Sequence, residues 1–188
     1  MNEQNECLNK VPYGIRDEAI FRDTEADKRV RRFMTPKRIL WMTQTEKAEV
    51  TGAEALLKPH VKQIHFNVPE QCRLESKGKS AGILLDFGVE FHGYVKLYIH
   101  SVSPQRVRLR IRFGESASEA MAELGGEKNA TNDHINRDQI IDVGFLSMPE
   151  IGPSGFRFVR IDVVDPEAMI TLQAVQGILD KIRSTGMG

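Results

Sequence analysis

The residues with most chemistry to offer crowd into one polar run, Asn129 to Asp138 (NATNDHINRD). Asn132, Asp133, His134 and Arg137 place hydrogen-bond donors and acceptors on nearly adjacent side chains, as recognition of sugar hydroxyls requires. With Glu115 upstream they form the candidate set for carbohydrate contact or for a domain interface. The same run holds oxygen donors in Asn129, Asn132, Asp133 and Asp138, the ligand type of Ca2+. Their order is not that of an EF-hand, and asparagine side chains bonded to their own backbone explain it as well. The reading preferred here has no metal or other cofactor. A second reading of the run has it stitching a long loop to itself or to a neighbouring domain.

The carboxylates are the next candidates for chemistry. Glycoside hydrolysis needs two carboxyl groups roughly 5 to 9.5 Å apart. Spacing nominates Asp86 with Glu90, Glu115 with Glu119 or Glu123, and Asp133 with Asp138. Glu119 and Glu123, four apart, would share a helix face. Charged residues beside turns are usually just solvated, and nothing marks one of these as desolvated. No catalytic residue is assigned, and the chain alone is expected to be inactive. His60, His65, His92, His100 and His134 lack the spacing of a zinc site. Ser116 and Ser118 lack a nucleophile-elbow setting.

The elements that must position these residues are strands. Arg106 to Phe113 (RVRLRIRF) alternates without a fault, so Val107, Leu109, Ile111 and Phe113 share one side and four arginines the other. Gly93 to His100 alternates too, and with Ser101 to Gln105 as a turn the two are expected to pair. The arginine row is read as a solvated sheet face, neutralised by neighbours such as Glu115. Ile83 to Phe87 is an apolar run fit for a central strand, and Gly88 to Gly93 suggests a bend or bulge where the chain changes sheet. Further strands are expected at Arg38 to Thr43, Gln63 to Val68, Gln139 to Val143, Phe156 to Val163 and Met169 to Val175. Ala53 to Leu57 is ambiguous between helix and strand, Glu119 to Leu124 reads as a short helix, and Met148 to Ser154 as a turn. Gly114 to Asp138, about 25 residues, exceeds the usual loop length. Trp41 is read as core or rim packing, while Tyr94 and Tyr98 are the candidates for a stacking platform.

Many short strands with almost no helix mean an all-β fold, here a galactose-binding-like jelly-roll sandwich with one long helix-bearing loop. The 188 residues suit one domain. Residues 1–32 read as a leader, extended or mobile, 33–179 as the sandwich and 180–188 as a polar tail. Lysine plus arginine equals aspartate plus glutamate at 26 each, which gives no reason to expect nucleic acid or a membrane surface as partner. Cys7 and Cys72 are not expected to pair. No stretch reaches the roughly 18 apolar residues of a span. The amino end lacks a secretory signal, which reads as cytoplasmic at face value and as secreted or periplasmic if a signal has been trimmed.

The blocks RFMTPKRILW (Arg32 to Trp41), LDFGVEFHG (Leu85 to Gly93), Ile111 to Asp138 and GFRFVRID (Gly155 to Asp162) resemble bacterial α-L-rhamnosidase-like glycoside hydrolases of the family-78 type. The resemblance runs from about Phe33 to Val175. It implies a β-sandwich domain that precedes an (α/α)6 helical barrel carrying the acid and base, so the family's catalytic residues map to no position here. The expected role is that of a non-catalytic accessory domain that supports the barrel and contacts carbohydrate. The expected partners are the barrel or a second copy of this chain, and the alternative is a free-standing carbohydrate-binding module.

Overall fold

The computed structural model describes residues 31–60, 63–123 and 136–181. The leader up to residue 30, the candidates Asn129, Asn132, Asp133 and His134, and the last residues of the tail lie outside them. The strands are β1 (Arg32–Met34), β2 (Arg38–Met42), β3 (Gln44–Thr45), β4 (Ala48–Thr51), β5 (Cys72–Lys77), β6 (Gly82–Ser103), β7 (Arg106–Gly114), β8 (Asp138–Gly144), β9 (Glu150–Val163) and β10 (Glu167–Lys181). Helix among the described residues amounts to a 3-10 turn at Ala53–Leu57, which settles that ambiguity, and α1 (Ala117–Met121).

Hydrogen bonding runs along β3-β4-β5-β10-β6-β9-β7-β8, with β1 added on β10 and β2 on β6. This antiparallel sheet doubles over itself, and the fold line crosses β6 and β9. The first limb of β6 pairs with β2, Arg38 facing Asp86 and Met42 facing Ile83. From His92 onward the same edge belongs to β10. β9 follows the other edge along both limbs, and its register with β6 jumps between Asp86 and Phe91. Gly88, at φ 85°, sits in that jump, where a left-handed backbone suits glycine. The bend expected at Gly88 to Gly93 is therefore real, inside one continuous strand.

Doubling over brings the inner faces of the two limbs together. Ile83, Leu85 and Phe87 from the first limb join Val95, Leu97 and Ile99 from the second in a single buried cluster. Alternation dictates that choice, since these are the odd-numbered residues of one strand. The result is an all-β jelly-roll sandwich, as the strand pattern implied. At its centre Phe156 meets Phe91 at 4.4 Å, Phe113 at 4.8 Å and Phe87 at 5.9 Å between ring centroids.

Four local expectations fail. Gly93 to His100 and Arg106 to Phe113 are not paired, because β9 lies between β6 and β7. Gln63 to Val68 is not a strand: Gln173 reaches across, its Oε1 accepting from His65 N–H at 2.9 Å and its Nε2 donating to His65 O, so a side-chain amide replaces the ladder. Phe66, from the supposed apolar set, is 71% exposed. Glu150 to Ser154 belongs to β9 rather than to a turn, with Gly152 and Pro153 seated opposite the register shift between Gly93 and Val95, where a missing N–H is tolerated. Tyr98 is no platform, being fully buried with its hydroxyl donating to Gln176 Oε1 at 2.7 Å. Cys72 is buried and free, and burial pushes its thiol up to about 12, so it is no nucleophile at neutral pH.

Asp86, fully buried on the outward side of β6, pins the fold line. Its carboxylate accepts from Arg157 Nε at 2.8 Å, Arg157 Nη2 at 3.0 Å, Arg38 Nε at 3.1 Å and Gly88 N–H at 2.7 Å. The Arg157 guanidinium, helped by Arg38 and the Gly88 amide, outweighs desolvation and holds this carboxyl well below the usual range.

Two outcomes follow from the packing and the pin. Phe156→Ala should lower unfolding stability by about 3–5 kcal/mol, read as a shift in denaturant midpoint at constant slope. Asp86→Asn should cost about 1–3 kcal/mol at pH 6, the lower range applying because both arginines keep access to water. Since the folded carboxyl is more acidic than the unfolded one, its contribution is complete above about pH 5 and fades as pH falls below about 4. Unfolding curves of the two proteins should therefore converge in acid; a gap that stays constant from pH 7 to 2 would contradict the pairing.

Candidate functional site

The outward face of the first limb and of its neighbours β9, β7 and β8 carries the charge. Arg110 and Arg112 alternate on β7, and Arg160 and Asp162 alternate on β9. The register sets Arg110 opposite Asp162 and Arg112 opposite Arg160. On the other edge of β7, Arg112 faces Asp138 and Arg110 faces Ile140 of β8. Between them opens a groove of about 540 Å3, lined by Arg110, Arg112, Arg160, Glu123, Asp138 and Asp162, with Ser80, Ile140 and Val164 at its margins. Three guanidinium groups and three carboxylates face one another in a space of the size that small ligands fill.

The expected solvated arginine row is thus a paired one. Arg108 is held by Asp165, whose Oδ2 accepts from the Arg108 N–H at 2.7 Å. Arg110 Nε donates to both oxygens of Asp138, at 2.8 and 3.0 Å, and its Nη1 lies 2.8 Å from Glu123 Oε2. Arg112 is only 3% exposed. Its Nη2 donates to Asp162 Oδ2 at 2.8 Å, and its Nη1 donates to Glu123 Oε1 at 3.0 Å and to Ala122 O at 3.2 Å. Arg160 Nε completes the set on Asp162 Oδ1 at 2.9 Å. A Cβ at Gly82 would collide with that Asp162 oxygen, so glycine there leaves room for the carboxylate. A buried arginine demands such partners, because an uncompensated charge in this setting costs several kcal/mol.

α1 leads into Glu123, which lines the groove. Ser116 caps it, accepting from Glu119 N–H at 3.2 Å. Ala120 packs with Leu84 and Phe158, and Trp41 and Met121 pack against them. Trp41 is therefore a rim residue, lying under Arg160 with the guanidinium carbon 4.7 Å from the ring centroid. The helix begins and ends earlier than expected, so Glu123 lies past its last residue and does not share a face with Glu119. Glu119 turns the other way, and together with Glu115 it binds Arg137, the latter pair at 2.7 Å.

Of the residues nominated from sequence, Arg137 and Glu115 are brought together as an ion pair at the foot of α1. Asp138 stands apart from that pair and lines the groove; the calcium reading otherwise rests on residues outside the described ones. Asp86, Glu115, Glu119, Glu123 and Asp138, all nominated as acids or bases, are each bound by arginine. Burial pushes the Glu123 carboxyl up, but hydrogen bonds from Arg110 and the charge of Arg112 outweigh it and hold it below the usual range. A glycosidase acid needs the opposite displacement. Sequence reasoning passed over Arg110, Arg112, Arg160 and Asp162 as site residues. Their alternation was visible, but the adjacency of β7 and β9 that makes them one cluster was not.

No protein-family model and no curated protein matches the sequence. Among solved structures, a rhamnosidase from Klebsiella oxytoca with rhamnose bound is similar over 88% of this chain and 32% of its own, with TM-score 0.51 and 16% identity. A GH78 family rhamnosidase of Bacillus sp. GL1 aligns over 68% of this chain and 12% of its own, with TM-score 0.47 and 15% identity. A fucolectin from striped bass serum aligns over 72% and 46%, with TM-score 0.47 and 15% identity. The chain spans about a third of the Klebsiella oxytoca enzyme. It shares that segment's fold, an all-β jelly-roll sandwich.

Proposed function

We propose that this chain is a non-catalytic accessory domain of an α-L-rhamnosidase-type hydrolase, supporting a helical catalytic barrel and holding carbohydrate in the groove over β7 and β9. The observation that carries the carbohydrate part is the groove itself. Five charged side chains on β7, β8 and β9, held by mutual pairing, and Glu123 beside them present guanidinium donors and carboxylate acceptors. Vicinal hydroxyls, each both donor and acceptor, match such a set without leaving a buried group unpaired. Ile140, 59% exposed at the margin, offers an apolar surface for the C–H face of a sugar ring. The sequence resemblance and the rhamnosidase-like fold support the accessory role. Large exposed apolar side chains elsewhere among the described residues include Leu40 on β2, Val89 on β6, and Phe145 and Met148 after β8.

Calorimetry with L-rhamnose and rhamnose-containing oligosaccharides should give saturable heat at millimolar ligand. Arg110→Ala should weaken that binding by about tenfold or more, as loss of a charged hydrogen-bond donor implies. Absence of heat at tens of millimolar saccharide, or full affinity in Arg110→Ala, would refute the groove as the binding site. Turnover of an aryl rhamnoside by the isolated chain would refute the non-catalytic assignment.

A further inference from the structure

Within the groove one arrangement carries more than general hydroxyl recognition. Arg110 and Arg112 stand two residues apart on β7, so their guanidinium groups lie side by side. Each directs Nη1 at a different oxygen of the same carboxylate, Glu123 Oε2 at 2.8 Å and Oε1 at 3.0 Å. Their inner atoms are held by Asp138 and Asp162, whose side chains are 9% and 7% exposed, whereas that of Glu123 is 67% exposed. Glu123 is thus the removable partner. We infer that the notch between Arg110 and Arg112 is a carboxylate clamp, filled here by Glu123 from the same chain, and that its external ligand is the carboxylate of an acidic saccharide, a hexuronate unit. This inference rests on the carbohydrate reading of the groove and names the sugar class.

Charge and burial make the notch selective. With Glu123 swung out, Arg110, Arg112 and Arg160 face only Asp138 and Asp162 among the described lining residues, which then carry one excess positive charge. Arg112 is almost wholly buried, and its Nε has no hydrogen-bond partner among the described residues. Taking away the Glu123 oxygen leaves this cation further under-compensated, so the vacated notch favours an anion over a neutral hydroxyl. Two parallel N–H groups from neighbouring side chains also match the spacing of carboxylate oxygens, as bidentate pairing requires. A hexuronate with its carboxylate there places its ring in the groove beside Ser80 and Ile140. Glu123 then acts as a built-in competitor that sets affinity without contributing to the complex.

The test is calorimetry on the full chain with D-galacturonate and D-glucuronate, each against its neutral hexose, with sodium acetate as a carboxylate control. The acid sugars should bind about tenfold or more tightly than the neutral ones, and Glu123→Ala should raise the acid-to-neutral ratio by about a further tenfold. Asp162 still pairs with Arg112 in that variant, so it should keep the fold with some loss of stability, checked by thermal unfolding. Equal affinity for acid and neutral sugars, unmoved by Glu123→Ala, overturns the clamp while leaving saccharide binding in the groove intact. Acetate binding as tightly as the hexuronates overturns the assignment to a sugar. No saccharide binding of either kind overturns both the clamp and the reading it rests on.

Discussion

A buried arginine cannot be left alone, and most of the outward face of this sandwich follows from that constraint. Arg112 lies at 3% exposure on a strand whose opposite side feeds the core. Its charge is met by Asp162 from the neighbouring strand and by Glu123 from the end of a short helix. Asp162 in turn requires glycine at position 82 and is shared with Arg160, which lies on Trp41. Trp41 and Met121 pack with Leu84, Phe158 and Ala120, which seats the helix that delivers Glu123. Each step is a pairing or a contact, and each depends on the one before it.

The doubled sheet makes this chain of contacts possible. β6 and β7 do not pair directly. Insertion of β9 between them brings a second alternating strand of arginine and aspartate alongside the first. The jump in register between Asp86 and Phe91 then turns the sheet over its own core. Asp86 and its two arginines hold that turn on the outside, while four phenylalanines fill it on the inside. Architecture and groove therefore share β9, which follows both limbs of β6 and borders the groove through Arg160 and Asp162.

Period-two alternation is a local signal, and what it encodes was legible: the strand character of Arg106 to Phe113, the bend after Phe87, and the jelly-roll class. Which strands become neighbours depends on contacts far apart in the chain. That is why the arginines of β7 looked solvated and why the pairing of β6 with β7 was misread. Gln63 to Val68 failed for a related reason, since a glutamine more than a hundred positions away supplies its hydrogen bonds. Tyr98 looked like a platform because its strand alternates, yet Gln176 waits for its hydroxyl on the supposedly wet face. Glu123 was nominated as an acid from helical spacing with Glu119, and the helix stops before reaching it. Local pattern identified these charged side chains; only the fold could reveal their partners.

The most direct measurement is a nitrogen–proton spectrum of the arginine side chains during titration with saccharide. Binding in the groove predicts that the Nε–Hε signals of Arg110, Arg112 and Arg160 move together while that of Arg157, tied to Asp86, stays still. Movement confined to other arginines, or to the backbone of residues 63–71, would contradict the account.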